Sequence, residues 1–141
     1  MRNIIDDKMT ELFENVNENA RQVREENAKK MAGDEYQKLA MRTCSIPRNQ
    51  NVSMLRHAVF GLCSEAGEVA GLLQKEYQGH IFDREHMKKE LGDCMWMIAE
   101  ACTALDISLD DVMQTNIDKL RARYPEGFDA ERSLHRADGD I

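Results

Sequence analysis

The stretch Ala58-Val59-Phe60-Gly61-Leu62-Cys63-Ser64-Glu65-Ala66-Gly67-Glu68-Val69-Ala70-Gly71-Leu72-Leu73 decides how the chain reads. Ala58, Leu62, Val69, Leu72 and Leu73 recur at the spacing of one face of an α-helix, and Glu65 falls inside that stripe. The helix is expected from about Ser53 to Gln78, with Gly79 as its stop. A second helix follows from Asp83 as N-cap, with Phe82 and Met87 spaced as a hydrophobic staple, through Trp96 to about Leu105. Its buried stripe reads Met97, Ile98 and Ala101, and Glu90 and Asp93 lie one and two turns before it. A third starts after Ser108, with Ile107 and Val112 as staple, and stops at Pro125-Glu126-Gly127. Helices joined by turns this short are expected to pack antiparallel.

Upstream, Gly33 reads as a break and Asp34 as an N-cap, with Gln37 completing a capping box for a short helix through Tyr36, Leu39 and Met41. Before it, Ile5, Met9, Leu12, Val16 and Val23 mark a long, thinly apolar helix over roughly 4–31, suited to packing across the subunit or against another chain. The expectation is an all-α protein: an antiparallel bundle of four core helices in residues 34–136, preceded by an N-terminal amphipathic helix (1–33) and followed by an irregular tail ending in residues 137–141.

Composition fits. The 141 residues suit one domain, 32% are charged and 6% aromatic, and two prolines leave few breakers. The formal charge of −7, from 26 acidic and 19 basic side chains, argues against a broad basic face for nucleic acid. No apolar run is long enough for a membrane span, and Met1-Arg2-Asn3-Ile4-Ile5-Asp6-Asp7 lacks the apolar core of a signal peptide. Cys44, Cys63, Cys94 and Cys102 form no C-x-x-C pair and read as buried free thiols of a cytoplasmic protein.

Glu65 with Glu68, and Glu90 with Asp93, are each spaced i, i+3, so each pair shares one side of its helix. Such pairs are common on solvated surfaces. Here they stand in or beside apolar stripes, where unpaired like charges lose hydration and repel, so a cation between them is the natural occupant. Four carboxylates without a converging His or Cys favour Mg²⁺, or Mn²⁺, over zinc. His86, one turn before Glu90, reads as a surface or capping group, and His57 as structural. Gly67 and Gly92, inside the acidic motifs, suggest close backbone approach or room for a ligand.

These motifs, with Glu35-Tyr36-Gln37, Ala40 and Arg42-Thr43 before them and Asn116-Ile117-Asp118-Lys119-Leu120-Arg121-Ala122-Arg123-Tyr124-Pro125-Glu126-Gly127-Phe128 after them, resemble the MazG-like nucleotide pyrophosphohydrolases of the all-α NTP pyrophosphatase superfamily. The resemblance spans roughly Asp34 to Arg136. It implies a helical subunit acting as a homodimer or homotetramer. It also implies Mg²⁺ on Glu65, Glu68, Glu90 and Asp93, and cleavage of a nucleoside triphosphate to the monophosphate and pyrophosphate, as in housecleaning of nucleotide pools. Ser64 departs from the pattern, since many members carry a further Glu there. Glu65 or Glu68 would accept the proton of the attacking water. Asn116, Lys119 and Arg123, with Tyr124 assisting, would contact the phosphates, with Lys75 a weaker candidate; on spacing alone the first three read as a solvated basic edge. Trp96 would stack on the base or anchor the core, and Arg42 and Thr43 would reach the nucleotide. A different class of protein, a helical regulatory module that binds nucleotide or a partner without turnover, is motivated by the long first helix.

Overall fold

A computed structural model describes residues 31–135 of the chain; the expected helix over 4–31, but for its last residue, and the tail 137–141 lie outside the described residues. Every regular element among them is helical: α1 (Gly33–Ala40), α2 (Asn51–Tyr77), α3 (Arg84–Ala104), α4 (Leu109–Arg123) and α5 (Ala130–Leu134). The all-α expectation holds. The exception is α5, in what reads as irregular tail: the Asp129 carboxylate accepts the Arg132 amide at 2.8 Å and starts one short turn.

Local chemistry sets most helix ends. Asp83 accepts the His86 amide at 3.0 Å and Ser108 the Asp111 amide at 3.2 Å, each filling one of the donors a helix start leaves open. At the end of α2, Gly79 turns to φ +95°; its amide bonds the Glu76 carbonyl, and that of His80 bonds Lys75. This is a Schellman stop. The end of α3 repeats it with Asp106 at φ 55°, where the Ile107 amide reaches the Cys102 carbonyl at 3.0 Å. An L-residue there is strained, so Asp106→Gly is expected to raise stability by about 0.5 kcal/mol in urea unfolding. A loss instead would mean that the Asp106 side chain holds the turn.

The α2–α3 pair forms the body of the fold. Its core is built from small or flexible side chains: Met54 and Ala58 of α2 with Ala99, Cys102 and Ala104 of α3 are buried, along with Met41 and Leu109. Gly61 permits the approach, since a Cβ there would lie 2.4 Å from the Met97 sulfur. The stripe expected on α3 is therefore shifted: Ala99 is buried, whereas Ile98 is exposed, as is Leu73 at the far end of the α2 stripe. Cys102 is buried, but Cys63 is exposed, contrary to the reading of the cysteines as buried thiols.

The α1–α4 contact corrects the sequence reading most. Helix α1 begins at Gly33, not after Asp34, and its N-cap Ala32 offers no side chain. The cap comes instead from Asp110, whose two carboxylate oxygens accept the amides of Gly33 (2.9 Å) and Asp34 (3.1 Å). In return, Asp34 accepts the Ser108 hydroxyl (2.6 Å) and the Asp110 amide (3.1 Å), and Gln37 Oε1 accepts the Leu109 amide (2.8 Å). Those bonds hold the Asp34 carboxyl below its usual range, the Ser108 hydroxyl contributing most. Two helix starts thus cap each other, and Gly33 is a buried contact point, not a breaker. Pinned this way, α4 packs chiefly on α1. Between α3 and α4 a groove of about 660 Å³ remains, lined by Met95, Ile98, Ile107, Val112, Met113 and Asn116 among others.

Candidate metal centre and the seam beside it

Packing of α2 on α3 brings the two acidic motifs together across their seam. Carboxylate oxygens of Glu65, Glu68 and Glu90 lie within 4.8 Å of one another. Glu90 is 8% exposed, Glu65 half-buried and Glu68 open to solvent. Asp93 stands close enough that it, with Glu68 and Glu90, adds to the burial that raises the Glu65 carboxyl above its usual range. Burial, and then Asp93, also raises the Tyr36 hydroxyl, which reaches the Gly92 carbonyl at 3.5 Å. Helix α1 therefore borders the cluster. Carboxylates whose near neighbours are carboxylates are a poor arrangement for stability and a good one for a hard divalent cation.

His86 is exposed, as the sequence suggests, and makes one contact that the sequence does not assign. Its Nε2 lies 2.8 Å from Glu90 Oε1, one turn away. A base that bonds one oxygen of a ligating carboxylate orients the other, and loss of such outer contacts typically costs 10–100-fold in metal affinity. His86→Ala is accordingly expected to weaken Mn²⁺ binding about tenfold. Titration calorimetry would show it; unchanged affinity would make the pair a surface contact only. Gly67 and Gly92 meet nothing within 4 Å of a built Cβ, so close helix approach is not their reason, and they leave open space beside both motifs. Ser64 is exposed.

The residues expected on the phosphates lie elsewhere. Asn116 and Lys119 line the α3–α4 groove with Met95 and Ile98. At about 100° per residue those two positions are turned roughly 140–200° around α3 from Asp93. The structure therefore does not bring this edge to the carboxylate cluster of the same chain. The Arg123 guanidinium lies 5.9 Å from the Tyr124 ring centre, and Tyr124 packs on Phe128. Trp96 is anchored: its indole N–H donates to the Ala40 carbonyl (3.1 Å) and to Thr43 Oγ1 (2.9 Å).

A second acidic position escapes sequence reading. Glu100 is 0% exposed; its Oε2 lies 2.7 Å from His57 Nδ1 and its Oε1 takes the Cys44 thiol at 3.3 Å. Trp96 meets the His57 ring edge-on, with centres 6.3 Å apart. The only sequence signal was one acid inside the apolar run Met95-Trp96-Met97-Ile98-Ala99-Glu100-Ala101-Cys102.

Comparison with known proteins matches residues 55–128 to the MazG nucleotide pyrophosphohydrolase domain. The chain is 35% identical over 82 residues to the Gene 37 protein of Mycobacterium phage L5, covering 55% of this chain and 72% of that one. That protein's name states no activity. No solved structure matches significantly. Among the described residues no helix is long and apolar enough to cross a membrane.

Proposed function

Because the chain belongs to the family of the MazG nucleotide pyrophosphohydrolase domain, we propose that it hydrolyses nucleoside triphosphates to the monophosphate and pyrophosphate, using Mg²⁺ or Mn²⁺ held by Glu65, Glu68, Glu90 and Asp93. The observation that carries this is the gathering of three carboxylates within 4.8 Å at a partly buried seam. An all-oxygen donor set with one buried and one solvent-facing member fits a hard cation with an open side. When bound, the ion supplies positive charge for the triphosphate oxygens and polarises the attacking water. Glu90, fixed by His86, orients the site. Glu65, whose proton affinity burial and its acidic neighbours raise, or Glu68 on the open side takes the proton of the water onto a carboxylate oxygen. The anchored Trp96 offers its ring as a wall for the nucleoside.

Asn116, Lys119, Arg123 and Tyr124 belong to the same proposal as contacts to the phosphates. In one chain Asn116 and Lys119 face away from the cluster, so their contribution requires a neighbouring copy. A homo-oligomer is therefore part of the reading. Exposed Phe60, Tyr77, Ile81, Phe128 and Leu134 support it, since a lone subunit rarely shows so much apolar surface.

The test is pyrophosphate release from a panel of (deoxy)nucleoside triphosphates with Mg²⁺ and with a chelator. Release that needs the ion is expected. Nucleotide binding without release would favour the regulatory module. The ion should also stabilise the fold, with a definite pH dependence. A carboxyl raised above its unfolded value of 4.5 penalises the metal-free fold above its folded value, and that penalty fades as pH falls. Protons then compete with the cation. The thermal shift from Mg²⁺ is thus expected to be larger near about pH 8 than near about pH 5.

A further inference from the structure

A fully buried carboxylate loses its hydration, and an apolar side chain in its place would pack without that cost. Glu100 sits in the core of the α2–α3 seam and spends both oxygens on two neighbours, His57 Nδ1 and the Cys44 thiol. A carboxylate accepts, so the imidazole carries its hydrogen on Nδ1, and Nε2, on the far side of the ring, is directed away from Glu100. The His57 side chain is 51% exposed. The chain therefore buries an acid to fix the orientation and tautomer of a histidine whose other nitrogen is free to meet a ligand.

The register places this pair relative to the metal centre. His57 precedes Glu65 by eight residues, about 12 Å along α2, and lies only about 20° around the helix from Glu68. Glu100 follows Asp93 by seven, about 10 Å along α3 and again about 20° around it. The two acidic rungs thus stand on one edge of the seam, separated by a length comparable with the span from an α-phosphate to the edge of its base. Trp96 lies between them on α3, edge-on to His57. A buried carboxylate behind the imidazole repels a polyphosphate tail, whereas an aromatic wall and the one nitrogen acceptor of a neutral imidazole suit a neutral π-system carrying an N–H. Arg48 is close enough to lower the Cys44 thiol in part, but it lines the hollow of Asp34, Lys38 and Ser108 between α1 and the α3–α4 turn.

We propose that His57 reads the base of the nucleotide, accepting a base N–H at Nε2, and that Glu100 is the positioning residue that holds it there. This rests on the hydrolase reading above. The test compares kcat and KM for four deoxynucleoside triphosphates in the wild type, His57→Ala, His57→Gln and Glu100→Gln. The expected result is a KM about tenfold higher for the preferred base in His57→Ala, the loss of one hydrogen bond, with a much smaller change in kcat and a compressed ranking of the four. His57→Gln, which keeps an acceptor, should restore part of the preference, and Glu100→Gln should blur it with His57 intact. A uniform loss over all four bases, as a phosphate contact would give, or an unchanged ranking overturns the proposal. His57→Gln also keeps an amide donor for the buried Glu100 Oε2, so it carries the test even if His57→Ala or Glu100→Gln fails to fold. Calorimetry with α,β-imido analogues in Mn²⁺ separates the two readings. Base-selective binding that His57→Ala removes, without turnover in the wild type, would keep this proposal and sink hydrolysis; no binding of any analogue would sink both.

Discussion

Glu68→Gln and Asp93→Asn are each expected to lower pyrophosphate release on the order of a thousandfold or more, as loss of a group from a site that acts as a unit does. Both positions are exposed, so neither change opens a cavity. The expected signature is dissociation of stability from activity. Removing one charge from a cluster that pushes the Glu65 carboxyl up relieves repulsion, so the metal-free variants should melt no lower than the wild type. The increment in melting temperature that Mg²⁺ gives the wild type should be absent or small in both. Glu65→Gln should behave alike, because burial and its acidic neighbours together raise its carboxyl in the metal-free protein. Variants that keep both activity and the Mg²⁺ increment would show the four carboxylates to be a solvated face.

The largest stability effect is expected far from that cluster, where α1 and α4 cap each other. A methyl group at Gly33 would lie 2.8 Å from Asp110 Oδ1, 3.3 Å from its amide and 2.4 Å from the end of Met113. Met113 can move aside; the Asp110 backbone cannot do so cheaply. Gly33→Ala is expected to cost about 2 kcal/mol, as overpacking of a tight contact does, and Asp110→Ala a similar amount, since it strands two amides at once. Either should lower the melting temperature by roughly 10 °C in a domain of this size. The double variant should cost clearly less than the sum, because both changes break one contact. Additive losses, or none, would show that α4 is held by something other than these caps. Acid should loosen the same contact: a carboxyl held below its usual value, like Asp34, contributes stability above pH 3.8 and loses it as pH falls through the lower folded value.

Both acidic motifs were legible because their message is local. An i, i+3 pair inside an apolar stripe shares a helix face whatever the rest of the chain does, and a short turn at Gly79 makes α2 and α3 neighbours. Glu65, Glu68 and Glu90 then meet. The His86–Glu90 contact was not legible, because an i, i+4 His–Glu pair looks the same on any surface. Asn116 and Lys119 were assigned to the phosphates by the family resemblance, and neither a motif nor a helix edge says which neighbour it faces.

The chain's own order of residues thus determined the helical class, the stop at Gly79, the helix starts at Asp83 and Ser108, and the two acidic motifs, because capping, periodicity and turn length act over a few residues. The tertiary structure alone decided that Asp110 caps a helix 76 residues upstream, that α4 leans on α1 and that Glu100 is buried under His57 and Cys44. Those contacts join groups with no regular spacing between them. A hydrogen bond depends on where its two partners stand once the helices have packed, and no pattern within either helix carries that information.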